Sequence, residues 1–267
     1  MSQNERFLAG KTVLITGGSS GLGEQIAYKA AEAGAVVVVA ARRLDKLHKV
    51  AVRCAALSGT RAEAVQLDVA DPDDIARVVD RVLAEFGPID ILVNNAGFGY
   101  FAEAVDLDME VAERMFRVNV LGLMHITQRV ARHMKERGKG HIINIGSQGG
   151  KSATPKSTCY SATKFAVIGY SNALRLELKR YGVNVTTVNP GPINTEFFAA
   201  ADQSGEYLKR VGFVILDAEK VARRVVRAMH RPCREINLPW IMELAYRFYV
   251  LFPRLGDFLV LNLLNFK

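Results

Sequence analysis

The stretch Lys11–Ala41, KTVLITGGSSGLGEQIAYKAAEAGAVVVVAA, holds three elements in succession. Lys11–Thr16 and Ala35–Ala41 are short runs rich in Val, Ile and Ala, the composition and length of buried strands. Leu22–Ala33 between them repeats apolar residues at helical spacing, and Gly34 follows where a helix ends on glycine. The turn between strand and helix is Thr16-Gly17-Gly18-Ser19-Ser20-Gly21-Leu22-Gly23. Glycines let the backbone approach a pyrophosphate closely, and the helix N-terminus beyond them stabilises negative charge. A glycine cluster alone is weak, because many turns need glycine; its place in a strand–helix–strand unit of roughly 30 residues strengthens it.

The alternation continues outward. Arg61–Leu67, Ile89–Asn94, His141–Ser147 and Asn184–Asn189 read as further strands, and Pro72–Phe86, Met109–Glu136 and Tyr160–Tyr181 as helices. Asp71-Pro72-Asp73-Asp74 opens a helix with proline and acidic residues, and Gly87 closes it. The segment between Ala41 and Arg61 carries no assigned element. Near-continuous apolar strands joined by helix-length crossovers imply an α/β fold, a parallel sheet covered on both faces, and the absence of a linker implies one domain over 1–267. Beyond Asn194 the pattern lapses. Residues 195–212 are polar and glycine-containing, and 195–215 reads as either a substrate lid or an ordinary surface loop; Asp217–His230 is a helix and Arg234–Leu238 a last strand.

Composition narrows the functional classes. Hydrophobic residues make up 49% of the 267, enough for a large core. The net charge of +8 favours an anionic partner, but the basic residues are scattered, so a phosphorylated cofactor or an anionic membrane surface fits better than nucleic acid. Cys54, Cys159 and Cys233 have no CxxC spacing, which points to free thiols in a reducing, cytoplasmic setting. The five histidines show no metal spacing, so no metal is expected. Residues 1–10 lack a signal peptide's apolar run, and no apolar segment approaches the ~20 residues of a membrane span.

Tyr160 and Lys164 stand four apart, which puts a phenol and an ammonium on one helix face. A free tyrosine titrates near pH 10, and moving it to 7 takes about 4 kcal/mol. A cation about 5 Å away at an effective dielectric of 20 supplies about 3 kcal/mol. The pair is therefore of the right size to make a proton donor at neutral pH, although the spacing alone is common on helices. At the end of the second strand, Ala40-Ala41-Arg42-Arg43 lacks the carboxylate that an NAD site places against the ribose hydroxyls. Guanidinium there suits a 2′-phosphate, which indicates NADP(H).

With the glycine turn, Asn94-Asn95-Ala96-Gly97, Ser147, Tyr160 and Lys164 in that order, the chain resembles the short-chain dehydrogenase/reductase family over about residues 10–195. The resemblance implies a Rossmann-type doubly wound sheet in three α/β/α layers. It implies that Tyr160 exchanges a proton with a carbonyl or alcohol oxygen, that Lys164 lowers its pKa and bonds the nicotinamide ribose, and that Ser147 orients the carbonyl. Asn119 would hold a water in a proton relay. Gly17, Ser19, Ser20, Gly21, Leu22 and Gly23 would cradle the pyrophosphate, with Arg42 and Arg43 at the 2′-phosphate. Asp68 and Val69 would meet the adenine, and Asn94, Ala96 and Gly97 would lie near the cofactor. Pro190, Gly191, Ile193 and Thr195 would bind the carboxamide and present one nicotinamide face, conventionally the pro-S side. It also implies a homodimer or homotetramer built on Met109–Glu136 and Tyr160–Tyr181.

Cys159, beside the tyrosine, is either a redox-sensitive thiol or a packing residue. Phe98, Tyr100, Phe101, Phe197 and Phe198 suggest an apolar substrate pocket, or core. Residues 236–266 are strongly apolar, with Trp240, Leu244, Phe248 and Leu251 on one stripe and Leu255, Phe258, Leu259, Leu263 and Phe266 on another. Packing on the domain's own core, a subunit interface and peripheral membrane contact are all open uses. The expected activity is an NADP(H)-dependent carbonyl reductase or alcohol dehydrogenase; the alternative is an NADPH-binding sensor with little turnover.

Overall fold

The computed structural model describes residues 6–201 and 215–262. Seven strands form one sheet: β1 (Thr12–Thr16), β2 (Val36–Ala41), β3 (Ala62–Gln66), β4 (Ile91–Asn94), β5 (Gly140–Ile145), β6 (Val183–Pro190) and β7 (Glu235–Leu238). Their order is β3-β2-β1-β4-β5-β6-β7, and every pairing is parallel. The fold is the doubly wound Rossmann-like α/β sheet expected from the sequence, in a single domain.

The helices are α1 (Gly21–Glu32), α2 (Leu44–Ser58), α3 (Pro72–Phe86), α4 (Met109–Phe116), α5 (Leu123–Arg137), α6 (Thr158–Lys179), α7 (Glu196–Ala201), α8 (Ala218–His230), α9 (Trp240–Leu251) and α10 (Pro253–Asn262). Strand alternation divides the core. Val13 and Ile15 of β1 pack with Ile26, Leu47 and Val225 from α1, α2 and α8. Leu14, pointing the other way, packs with Ile75, Val79, Ile126 and Leu174 from α3, α5 and α6. Asp71 caps α3 by accepting from the backbone N–H of Asp73 at 2.9 Å and Asp74 at 3.3 Å, with Pro72 in the first turn.

Three assignments change. Residues 44–58 form α2, hidden in sequence because its buried stripe of Leu47, Val50, Ala51 and Cys54 is small and interleaved with charge. The helix expected over Met109–Glu136 is interrupted by a π-helical turn at Arg117–Gly122, which carries Asn119. Gly122 lets this turn lie against the Val69 carbonyl, with which a Cβ there would collide. Of the apolar tail, for which core packing was one open use, Ile236 and Leu238 in β7 pack against the core, whereas α9 has no buried residue and Trp240 and Leu251 are each 72% exposed. Leu263 and Phe266 of the second stripe, and residues 202–214 of the 195–215 segment read as a lid or surface loop, lie outside the described residues, while its start forms α7.

Candidate active site

The strand order reverses between β1 and β4, and parallel sheets bind ligands beyond the carboxyl ends of strands at such a point. Four strand ends meet there: Gly17 follows β1, Asn95-Ala96-Gly97 follows β4, Gly146-Ser147 follows β5 and Pro190 ends β6. Gly17 and Gly21 have φ of 65° and 60°, the left-handed region that glycine reaches without strain. Asn95 Nδ2 donates to the carbonyls of Thr16 at 3.1 Å and Gly17 at 3.0 Å, fastening this turn to the β4 loop. Gly23 makes room, because a Cβ there would strike both Asn95 Nδ2 and the Gly17 carbonyl.

Tyr160 and Lys164 sit one turn apart near the start of α6. The Lys164 ammonium donates to the Ile145 carbonyl at 2.9 Å and lies 5.9 Å from the Tyr160 ring centre. Burial lowers the Lys164 pKa to about 8. Ser147 Oγ accepts from the Gly149 N–H at 3.0 Å, which leaves its hydroxyl proton for an oxygen in the cleft. Gly149 separates serine from tyrosine, a Cβ on it meeting Ser147 Oγ at 3.4 Å and Tyr160 Cε1 at 3.5 Å. Phe101 and Phe197 pack on the tyrosine with ring centres 5.9 and 5.6 Å away, and Phe198 stacks edge-on to Phe197 at 5.1 Å.

One cleft of about 410 Å³ joins these parts. Its walls include Gly17, Ser20, Gly21 and Leu22 of the glycine turn, Arg42 and Arg43, Ala96 and Gly97, then Ser147, Tyr160 and Lys164, and Pro190, Gly191, Ile193 and Thr195. The remaining residues named from sequence, Ser19, Gly23, Asp68, Val69, Asn94 and Asn119, are not among its lining residues. Ser19 Oγ bonds Arg43 at 3.1 Å. Asp68 Oδ1 accepts from the Ala70 N–H at 3.0 Å, and Val69 is buried. Asn94 is buried between the sheet and α5, its Nδ2 donating to Thr127 Oγ1 and Asn144 Oδ1 at 2.8 Å each. Asn119 Oδ1 accepts from Phe98 N–H at 2.9 Å, its Nδ2 donates to the Phe98 carbonyl at 2.8 Å, and a Cβ at Gly97 would press on Oδ1.

Sequence reading missed Gln148, Glu196 and Met242, which also line the cleft. Glu196 adjoins Thr195 and carried a signal in its position; Met242 comes from α9 and carried none. Among the described residues no three His, Cys, Asp or Glu side chains gather as a metal site.

A family model described as short chain dehydrogenase matches residues 11–205. The chain belongs to the short-chain dehydrogenase/reductase family. Like other short-chain dehydrogenases, it is an oxidoreductase by family. It is 35% identical over 256 residues to the dehydrogenase/reductase SDR family protein 7-like of Drosophila melanogaster, covering 93% of this chain and 78% of that one. It is 36% identical to glycine betaine reductase ATRR of Emericella nidulans over 84% of this chain, but spans only 18% of that longer protein. Among solved structures, 3-ketoacyl-(acyl-carrier-protein) reductase from Brucella melitensis, complexed with NADH, superposes with a TM-score of 0.80 at 29% identity, over 86% of this chain and 97% of that one. A closed serine dehydrogenase complexed with NADP+ superposes with a TM-score of 0.78 at 32% identity, over 85% and 94%. Structural neighbours of this short-chain dehydrogenase thus include binders of either dinucleotide.

Proposed function

We propose that the protein is an NADP(H)-dependent carbonyl reductase or alcohol dehydrogenase in which Tyr160 is the general acid and base. The observation that carries this reading is the single cleft that runs from Arg42 and Arg43, past the glycine turn, to Ser147, Tyr160 and Lys164. The residues fit a dinucleotide: two guanidinium groups at one end, no carboxylate closing β2, and close backbone approach at Gly17 and Gly21. When bound, the reduced nicotinamide supplies hydride to the carbonyl carbon. Ser147 donates to the carbonyl oxygen and holds it toward Tyr160, whose phenolic proton passes to that oxygen. The buried Lys164 charge, facing the ring, favours the phenolate that remains. Thr195 and Ile193 are assigned to the carboxamide, and Asn119 to the relay behind Lys164.

Phe98, Phe101, Phe197, Phe198 and Met242 on the wall favour an apolar carbonyl substrate. Exposed Phe116, Leu121, Phe165 and Leu176 on the helices expected to pair subunits support a homodimer or homotetramer. The uncovered apolar face of α9 and α10, with the net charge of +8, supports peripheral contact with an anionic membrane; no helix among the described residues is long and apolar enough to cross one.

The test follows NADPH absorbance across a panel of lipophilic ketones and aldehydes with wild type and Tyr160→Phe. Turnover in the wild type, lost in the variant with cofactor affinity kept, is the expected result. Tight NADPH binding without turnover in either protein would favour the sensor. Flotation with anionic liposomes, compared with a chain ending at Pro239, tests the membrane reading.

A further inference from the structure

Arg43 faces two kinds of partner. Its Nη2 donates to Ser19 Oγ at 3.1 Å and Ser20 Oγ at 2.7 Å in the glycine turn. Its Nη1 lies 3.2 Å from Glu196 Oε2, and Lys46 Nζ lies 3.1 Å from Glu196 Oε1. A carboxylate that opens α7, far along the chain, is thus held by two cations at the adenosine end of the cleft. Both cations lower the Glu196 pKa, Lys46 more than Arg43, so the carboxylate is charged at neutral pH.

We infer that Glu196 is a specificity-determining residue: its carboxylate fills the anion site of Arg43 and Lys46 and competes there with the 2′-phosphate of the cofactor. The inference rests on the NADP(H) reading and adds a residue that opposes it. Exposed ion pairs of this kind stabilise a fold little, so the fold itself does not require an acid here. Its electrostatic effect on a ligand is larger. A 2′-phosphate carries up to two charges and needs the same donors, so it must displace the carboxylate and is repelled while the carboxylate stays near. A ribose with a free 2′-hydroxyl makes no such demand, and its hydroxyl can donate to a carboxylate. Glu196 therefore narrows the preference that Arg43 and Lys46 create.

The test is equilibrium binding to the full chain of 2′,5′-ADP and 5′-AMP, which probe the adenosine end alone, and of NADPH and NADH. Wild type, Glu196→Gln and Arg43→Gln are compared, with circular dichroism confirming folded protein. Glu196→Gln should tighten 2′,5′-ADP and NADPH by roughly three- to tenfold at low ionic strength, leave 5′-AMP and NADH within about twofold, and lose most of the difference near 0.5 M salt. Arg43→Gln should weaken 2′,5′-ADP at least tenfold. If Glu196→Gln leaves 2′,5′-ADP unchanged or weakens it while Arg43→Gln weakens it, the competition is refuted and the coenzyme assignment stands. If neither variant alters 2′,5′-ADP binding, both the competition and the NADP(H) reading fall.

Discussion

Lys164 Nζ and the carbonyl oxygen of Ile145 are 2.9 Å apart, so the helix lysine is fastened to the end of the strand that leads into Ser147. The bond anchors the ammonium under the tyrosine, and the burial that goes with it lowers the lysine pKa to about 8. Protonation is easier in the unfolded chain. The associated loss of stability is complete below about pH 8 and is relieved as pH rises toward 10.5. Carbonyl reduction at subsaturating substrate should therefore fall above pH about 8, as the charge beside Tyr160 disappears. The melting temperature of wild type relative to Lys164→Met should rise between pH 7.5 and roughly 10. A rate flat to pH 10 would contradict the assignment.

Lys151 lashes the tail to the domain. Its ammonium lies 2.7 Å from Glu235 Oε2 on β7 and 2.8 Å from Glu243 Oε2 on α9. Burial opposes the charge, but the two carboxylates more than offset it and the lysine pKa is raised. Lys151→Met should strand two half-screened carboxylates and cost about 2 kcal/mol, roughly 4–8 °C in melting temperature. Hydrogen exchange should quicken first in Trp240–Leu251. Unchanged exchange there would mean that the helix is held by something else.

His141 is buried on β5, with Nε2 2.9 Å from Thr186 Oγ1, and burial lowers its pKa to about 4. Its neutral form is stable in the fold, so the stability present above pH 6.5 is lost as pH falls toward 4. Chemical denaturation of wild type and His141→Gln at pH 7 and pH 5 should show a smaller loss in the variant. Equal losses would refute this account.

Gly23→Ala tests the joint between the glycine turn and Asn95. The added methyl displaces Asn95 or the Gly17 carbonyl, an overpacking cost of about 1–3 kcal/mol. Dinucleotide binding should weaken at least tenfold while the far-ultraviolet spectrum is kept. Full affinity in a folded variant would show that the turn tolerates the change.

The strands, the glycine turn and the caps of α3 were legible because each is set by neighbours in the chain: apolar runs, positive-φ glycines, and Asp71 beside Pro72. The helix α2 was not legible, because its small buried stripe gains meaning only against β2 and α1. The π-helical turn at Asn119 escaped for the same reason: it packs, through Gly122, against the Val69 carbonyl, which is remote in sequence.

Local order along the chain determined the parallel α/β sheet and the facing of Tyr160 and Lys164, since periods of two and 3.6 residues act within a single element. Tertiary structure alone decided that Asn94 is turned inward, that Glu196 reaches Arg43, that Met242 joins the cleft and that Trp240, Leu244 and Leu251 of α9 stay exposed. Those outcomes depend on packing between segments far apart in the chain, 153 residues in the case of Arg43 and Glu196, where sequence spacing carries no information about distance.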